Sequence, residues 1–206
     1  MTTPSFLSSA VALVAALLGA ALLVYSTIRA VRPAAAHQGF GWMVIAGSGY
    51  LVLALASAVR TPQGDGMRAA ALQGVTIVLA AALGGLALGQ RQEGPGSGRQ
   101  LAAVALSVAW LSLLGLPPAL GFHARVLVCR SLVQAGWHGA FALALAVGAA
   151  GLTPAFAALS LGCPGSLRGG RAVLAVLLLL VTIVLGLYPG FAMSGAGFVL
   201  EAVRAR

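Results

Sequence analysis

The sequence predicts an all-α fold, a polytopic transmembrane helical bundle of about six spans with one discontinuous helix. Three observations predict it. The 206 residues are 60% hydrophobic and 7% charged, with a mean hydropathy of +1.02, where soluble domains carry about a quarter charged residues. The runs Val11 to Val24, Leu101 to Leu116 and Ala172 to Leu187 hold no charge, and with their flanks they reach the roughly 20 residues that cross a bilayer. Leu, Val and Ala follow one another without the alternation of a transmembrane β-barrel strand, so helices are the spanning solution left.

The first span runs from about Phe6 to Ile28 and closes at Arg29 and Arg32, with Pro33 preventing continuation. It is too long for a signal-peptide core and has no basic residues before it. A second span covers about Phe40 to Val59 and a third about Ala69 to Leu88, with the turn-forming stretch Arg60 to Gly66 between them. The polar loop Arg91 to Arg99 contains Gly94-Pro95-Gly96-Ser97-Gly98. The next apolar stretch, Leu101 to about Val133, exceeds one span and is interrupted at Gly115-Leu116-Pro117-Pro118. Two further spans, about Trp137 to Leu161 and Ala172 to Phe191, flank a loop with Pro164, Arg168 and Arg171. The whole chain, 1–206, reads as a single membrane domain.

The net charge of +9 comes from twelve arginines, no lysine and three acids, Asp65, Glu93 and Glu201. The arginines sit mostly in short loops, a topology pattern and not a nucleic-acid groove. Six spans put both termini on one side. Arg29, Arg32, Arg91, Arg99, Arg168 and Arg171 fall on the other, against Arg60, Arg68, Arg204 and Arg206 on the terminal side. The positive-inside rule then places both termini on the intermembrane-space or periplasmic face. Cys129 and Cys163 have neither metal-ligand spacing nor a pairing pattern and read as small apolar residues.

No phosphate loop, activated nucleophile or carboxylate pair is present, so no catalytic, cofactor-binding or metal-binding residue is assigned. The informative stretch is the break. Pro117 and Pro118 remove two helical donors, leaving carbonyls near Leu113 and Leu114 unpaired in a medium that cannot satisfy them. Such breaks persist where backbone lines a polar cavity or is buried in protein. His123 and Arg125 follow at once, with Arg130 about a turn and a half further on, and a charge at membrane depth costs about 2.5 to 3.5 kcal/mol on insertion scales. Two readings of the segment stand: a proline-kinked helix near an interface with its arginine snorkelling, or a charge held inside the protein. His123 is either an interior hydrogen-bonding group or a proton relay.

The segment Trp110 to Arg125, reading WLSLLGLPPALGFHAR, resembles the signature of the antiporter-like subunits of respiratory complex I. There a Leu-Ser-Leu-hydrophobic-Gly-hydrophobic-Pro-Pro stretch precedes Gly-Phe, two residues and a lysine, and the branch it resembles is chain 2, or subunit N. Ile45-Ala46-Gly47-Ser48-Gly49-Tyr50-Leu51 resembles that branch's Ser-Ile-Ala-His-x-Gly-Tyr piece, and Val184 to Pro189 the end of its last helix. The resemblance covers nearly all of this chain but only the C-terminal part of the family: the second five-helix repeat plus the final helix. Arg125 stands where the family has lysine and Ser48 where it has histidine.

The resemblance implies a shortened membrane-arm subunit, mainly structural, with Gly115, Pro117, Pro118 and Gly121 forming the helix break. Arg125, His123, Arg130, Ser48 and Tyr50 become the proton-path or charge candidates. An arginine cannot release its proton as a buried lysine can, so Arg125 is expected to act as a fixed charge. The expected partners are other membrane-arm subunits of complex I, a separate chain carrying the missing first repeat, and lipids, with no nucleic acid. FMN, iron–sulfur clusters and quinone belong elsewhere in such a complex. A related cation/proton antiporter or membrane-bound hydrogenase assembly, and a free-standing small transporter, are the alternatives. The mitochondrial inner membrane is the expected location, with the bacterial plasma membrane as the alternative.

Overall fold

A computed structural model describes residues 6–32, 36–62, 65–88, 97–160, 167, 169–188 and 190. They form eight helices: α1 (Phe6–Val31), α2 (Ala36–Arg60), α3 (Gly66–Leu88), α4 (Ser97–Leu114), α5 (Leu120–Gln134), α6 (His138–Ala150), α7 (Leu152–Ser160) and α8 (Gly170–Leu187). No strand occurs among the described residues. The all-α polytopic architecture expected from the composition is the one observed. Pro33, Glu93, Cys163, Pro164, Arg168, Phe191 and Glu201 lie outside the described residues, as does most of the loop from Arg91.

α1, α2, α3, the α6–α7 stretch over 138–156 and α8 are each long and apolar enough to cross a membrane. α4 and α5 are the halves of the interrupted span. α1 continues past Ile28 to Val31, since nothing before Pro33 stops the ladder. The fifth span is made of two helices: Gly151 stays right-handed at φ −64°, ψ −17°, so the chain passes from α6 into α7 without reversing. α8 ends at Leu187, short of the expected Phe191.

α1 and α2 pack through small residues. A Cβ at Gly19 would lie 3.1 Å from the Gly49 carbonyl oxygen, and one at Gly49 would lie 3.0 Å from that of Gly19. Close backbone approach through glycine is how helices gain dispersion contacts where lipid removes the hydrophobic drive. Ala16, Leu23, Tyr50, Leu53, Leu83, Trp110, Leu120 and Val128 belong to one buried core. Val11, Leu17 and Leu18 on α1 and Val173, Leu177 and Leu180 on α8 stay exposed, the outward apolar belt of a membrane bundle.

Candidate functional site: the broken helix and its arginine

α4 ends because Pro117 and Pro118 cannot donate to the carbonyls of Leu113 and Leu114. The chain turns off through Gly115 at φ +68°. Its N–H donates to Ser112 O (3.1 Å) and that of Leu116 to Leu111 O (2.9 Å), a glycine-terminated Schellman ending. The Pro117–Pro118 bond is cis. α5 starts at Leu120 and ends in the same way, with Gly136 at φ +75° and the Trp137 N–H donating to Leu132 O at 2.9 Å.

Side chains of a helix tilt toward its N-terminus, so Arg125, in the second turn of α5, leans back over the break. Its Nη2 donates to Leu113 O, one of the carbonyls the prolines leave without a partner. Its Nη1 donates to the Tyr50 hydroxyl at 3.0 Å. Tyr50, almost wholly buried, donates in turn to Ala144 O at 2.6 Å. The guanidinium carbon also lies 4.1 Å from the Tyr50 ring centroid. One cation thereby joins α4, α5, α2 and α6. Hydrogen bonds to a charged group contribute about 1.5 to 3 kcal/mol each, enough for two of them to offset an insertion cost of about 2.5 to 3.5 kcal/mol.

Small residues make room for this arrangement. A Cβ at Gly148 would lie 3.0 Å from Arg125 Nη1, and one at Gly115 would strike the Arg125 side chain. A Cβ at Gly121 would collide with the Ser112 carbonyl, so the two half-helices overlap side by side through that glycine. Gly186 of α8 serves the break likewise, its Cβ position falling on Pro118 O. Beside Arg125 lies a cavity of about 390 Å³ between α5 and α6, bordered by Phe122, Val126, Cys129, Leu145 and Leu152.

The break is covered in part, with Gly115 and Leu116 half-buried. Leu113, Leu114 and Ala119 are buried, while Pro117 and Pro118 are exposed. A prolyl ring carries no polar group, so exposing it to lipid costs little; the carbonyls are what must be covered.

The remaining candidates divide. His123 Nε2 lies 2.8 Å from Gly186 O; a carbonyl only accepts, so Nε2 carries the proton in this bond. His123 thus ties α5 to α8. Ser48 bonds back to Val44 O of its own helix at 3.5 Å, away from the arginine's hydrogen bonds. Arg130 turns to the α2–α3 turn: its Nε lies 2.9 Å from Asp65 Oδ2, with the arginine side chain 66% exposed. Asp65 also pairs with Gln134, its N–H donating to Oε1 at 3.1 Å. Sequence reasoning missed Gly148, and also Gln73, a fully buried amide on α3 whose Nε2 donates to Gly47 O at 3.3 Å. Gln73 was legible as a lone amide inside an apolar span; Gly148 carried no local signal. Among the described residues no group of three or more His, Cys, Asp or Glu could hold a metal.

No family model matches the chain. It is 37% identical over 140 residues to NADH-quinone oxidoreductase subunit N of Rhodopseudomonas palustris (strain BisA53), a match covering 66% of this chain and 30% of that protein. In fold it is similar to a chain of the Mrp complex from Dietzia sp. DQ12-45-1b, with a TM-score of 0.75 and 21% identity over 91% of this chain and 47% of that one. It is also similar to a chain of respiratory complex I from Thermus thermophilus, with a TM-score of 0.66 and 26% identity over 88% of this chain and 44% of that one. The chain therefore spans less than a third of the curated relative and less than half of either structural neighbour. By sequence and by fold it resembles an antiporter-like membrane subunit of complex I, over part of such a subunit's length.

Proposed function

We propose that the chain is an antiporter-like membrane-arm subunit of a proton-translocating NADH:quinone oxidoreductase, in which it is mainly structural and transfers few or no protons itself. The observation that carries this reading is the state of Arg125. Its guanidinium is held by the Leu113 carbonyl and the Tyr50 hydroxyl, and an arginine there keeps its proton. The only acid among the described residues, Asp65, is engaged by Arg130. The charge thus closes the backbone left open by the prolines.

In this reading residues 1–206 act as one membrane domain equivalent to the second repeat and final helix of the relatives. A separate chain supplies the first repeat, and other membrane-arm subunits and lipids complete the surroundings. FMN, iron–sulfur clusters and the quinone site reside on other chains. The setting is an energy-coupling membrane. The organisms of the relatives support the bacterial plasma membrane over the mitochondrial inner membrane, with both termini on the periplasmic or intermembrane-space side.

The similarity to the Mrp complex chain supports a second reading, membership of a cation/proton antiporter assembly. Affinity purification in mild detergent, with identification of every co-purifying chain, separates the two. Flavin and iron–sulfur subunits are expected. Antiporter subunits alone would establish the second reading, and a stable chain with no partners would refute both.

A further inference from the structure

We propose that the groove between the end of α3 and the start of α8 binds an anionic phospholipid, with Arg171 on the phosphate and an acyl chain lying against Ala81, Ala82 and Gly85. The groove holds about 470 Å³ and is lined by these residues with Leu174 and Leu178. A Cβ at Gly85 would meet nothing within 4 Å, so the space along α3 is open. Arg171 lies one residue into α8, at the end of the bundle, and Leu178 lies about 10 Å deeper by helical rise. A cation at the surface end and apolar walls running inward reproduce the order of head and tail in a lipid.

Charge sets the headgroup. Arg29 lies over Trp42 and Arg60 over Trp137, while Arg125 and Arg130 have bonded partners. Arg171 is exposed and, among the described residues, has no such partner. The Leu167 N–H donates to Gly98 O at 2.9 Å, tying the approach to α8 to the start of α4, where Arg99 is exposed. At this end the described charges are Arg29, Arg32, Arg99 and Arg171 without an acid; at the other they are Arg60, Arg68 and Arg130 with Asp65. Basic residues at a membrane surface gain about 1 kcal/mol each from acidic lipids. An acyl chain fits a space of this size, and a phosphate fits its cationic end.

The test uses the full chain with the chains that accompany it, equilibrated in nanodiscs of phosphatidylcholine with phosphatidylglycerol and re-extracted. Bound lipid is counted by mass spectrometry. Wild type is expected to retain phosphatidylglycerol selectively, and Arg171→Gln to retain about fivefold less, the effect of one arginine near the surface. Gly85→Leu, which fills the groove and keeps the charge, should lose it equally, while Arg171→Lys and Arg32→Gln should keep it. Unchanged retention in both Arg171→Gln and Gly85→Leu would overturn the proposal. So would displacement by inorganic phosphate alone, or a Gly85→Cys thiol that crosslinks to another polypeptide of the assembly instead of a lipid-borne probe. The lipid count does not depend on which assembly the chain serves.

Discussion

Arg125 and Arg130 lie little more than one turn apart on α5, yet their surroundings share almost nothing. Arg130, its own side chain largely exposed, meets the Asp65 carboxylate at 2.9 Å. Arg125 meets no carboxylate among the described residues; it holds a backbone carbonyl, a hydroxyl and an aromatic face. An exposed ion pair contributes about 0 to 1 kcal/mol and is screened by salt. A cation bonded to a carbonyl that the prolines leave open contributes far more, because removing it strands that carbonyl. The same residue type is thus a surface accessory in one place and a structural keystone in the other.

That contrast sets the order of expected effects. The largest belongs to Gly121→Val, whose Cβ would fall on the Ser112 carbonyl. Forcing the half-helices apart is expected to destabilise the chain by about 3 kcal/mol, read as loss of the chain from membranes and a lowered midpoint of thermal unfolding in detergent. Arg125→Ala comes next, at about 2 kcal/mol, from an orphaned carbonyl and two lost charge-assisted bonds. Tyr50→Phe removes the hydroxyl between Arg125 and Ala144 O but keeps the ring under the guanidinium, and about 1 kcal/mol is expected by the same measurement. Arg130→Gln should cost less than about 0.5 kcal/mol and vanish at high salt. If Arg130→Gln proved as damaging as Arg125→Ala, the division between the two arginines would fail.

What the sequence showed followed the range of the forces involved. Spans are local facts of hydropathy, and the break at Gly115 to Pro118 is a local fact of missing donors, so both were readable at the residues that cause them. The use made of the freed carbonyl was half readable: a cation nearby was evident, but its second anchor, Tyr50, lies 75 residues away in sequence. The next link, Tyr50 to Ala144 O, spans 94 residues. Packing alone brings these together. The partner of Arg130 was unreadable for the related reason that only the meeting of the α2–α3 turn with the end of α5 brings Asp65 to it. Ser48, singled out because it stands where the resembling branch has histidine, bonds to its own helix.

The central claim is that Arg125 holds the broken helix and carries no protons. It is tested most directly by comparing Arg125→Ala and Arg125→Lys with wild type in the intact assembly, measuring both the abundance of the assembled complex and the protons moved per electron pair. The account predicts that the alanine variant lowers abundance, while whatever complex does assemble keeps the wild-type stoichiometry in both variants. Normal assembly of the alanine variant with a reduced proton stoichiometry, restored by lysine, would contradict it and place a proton path through this chain.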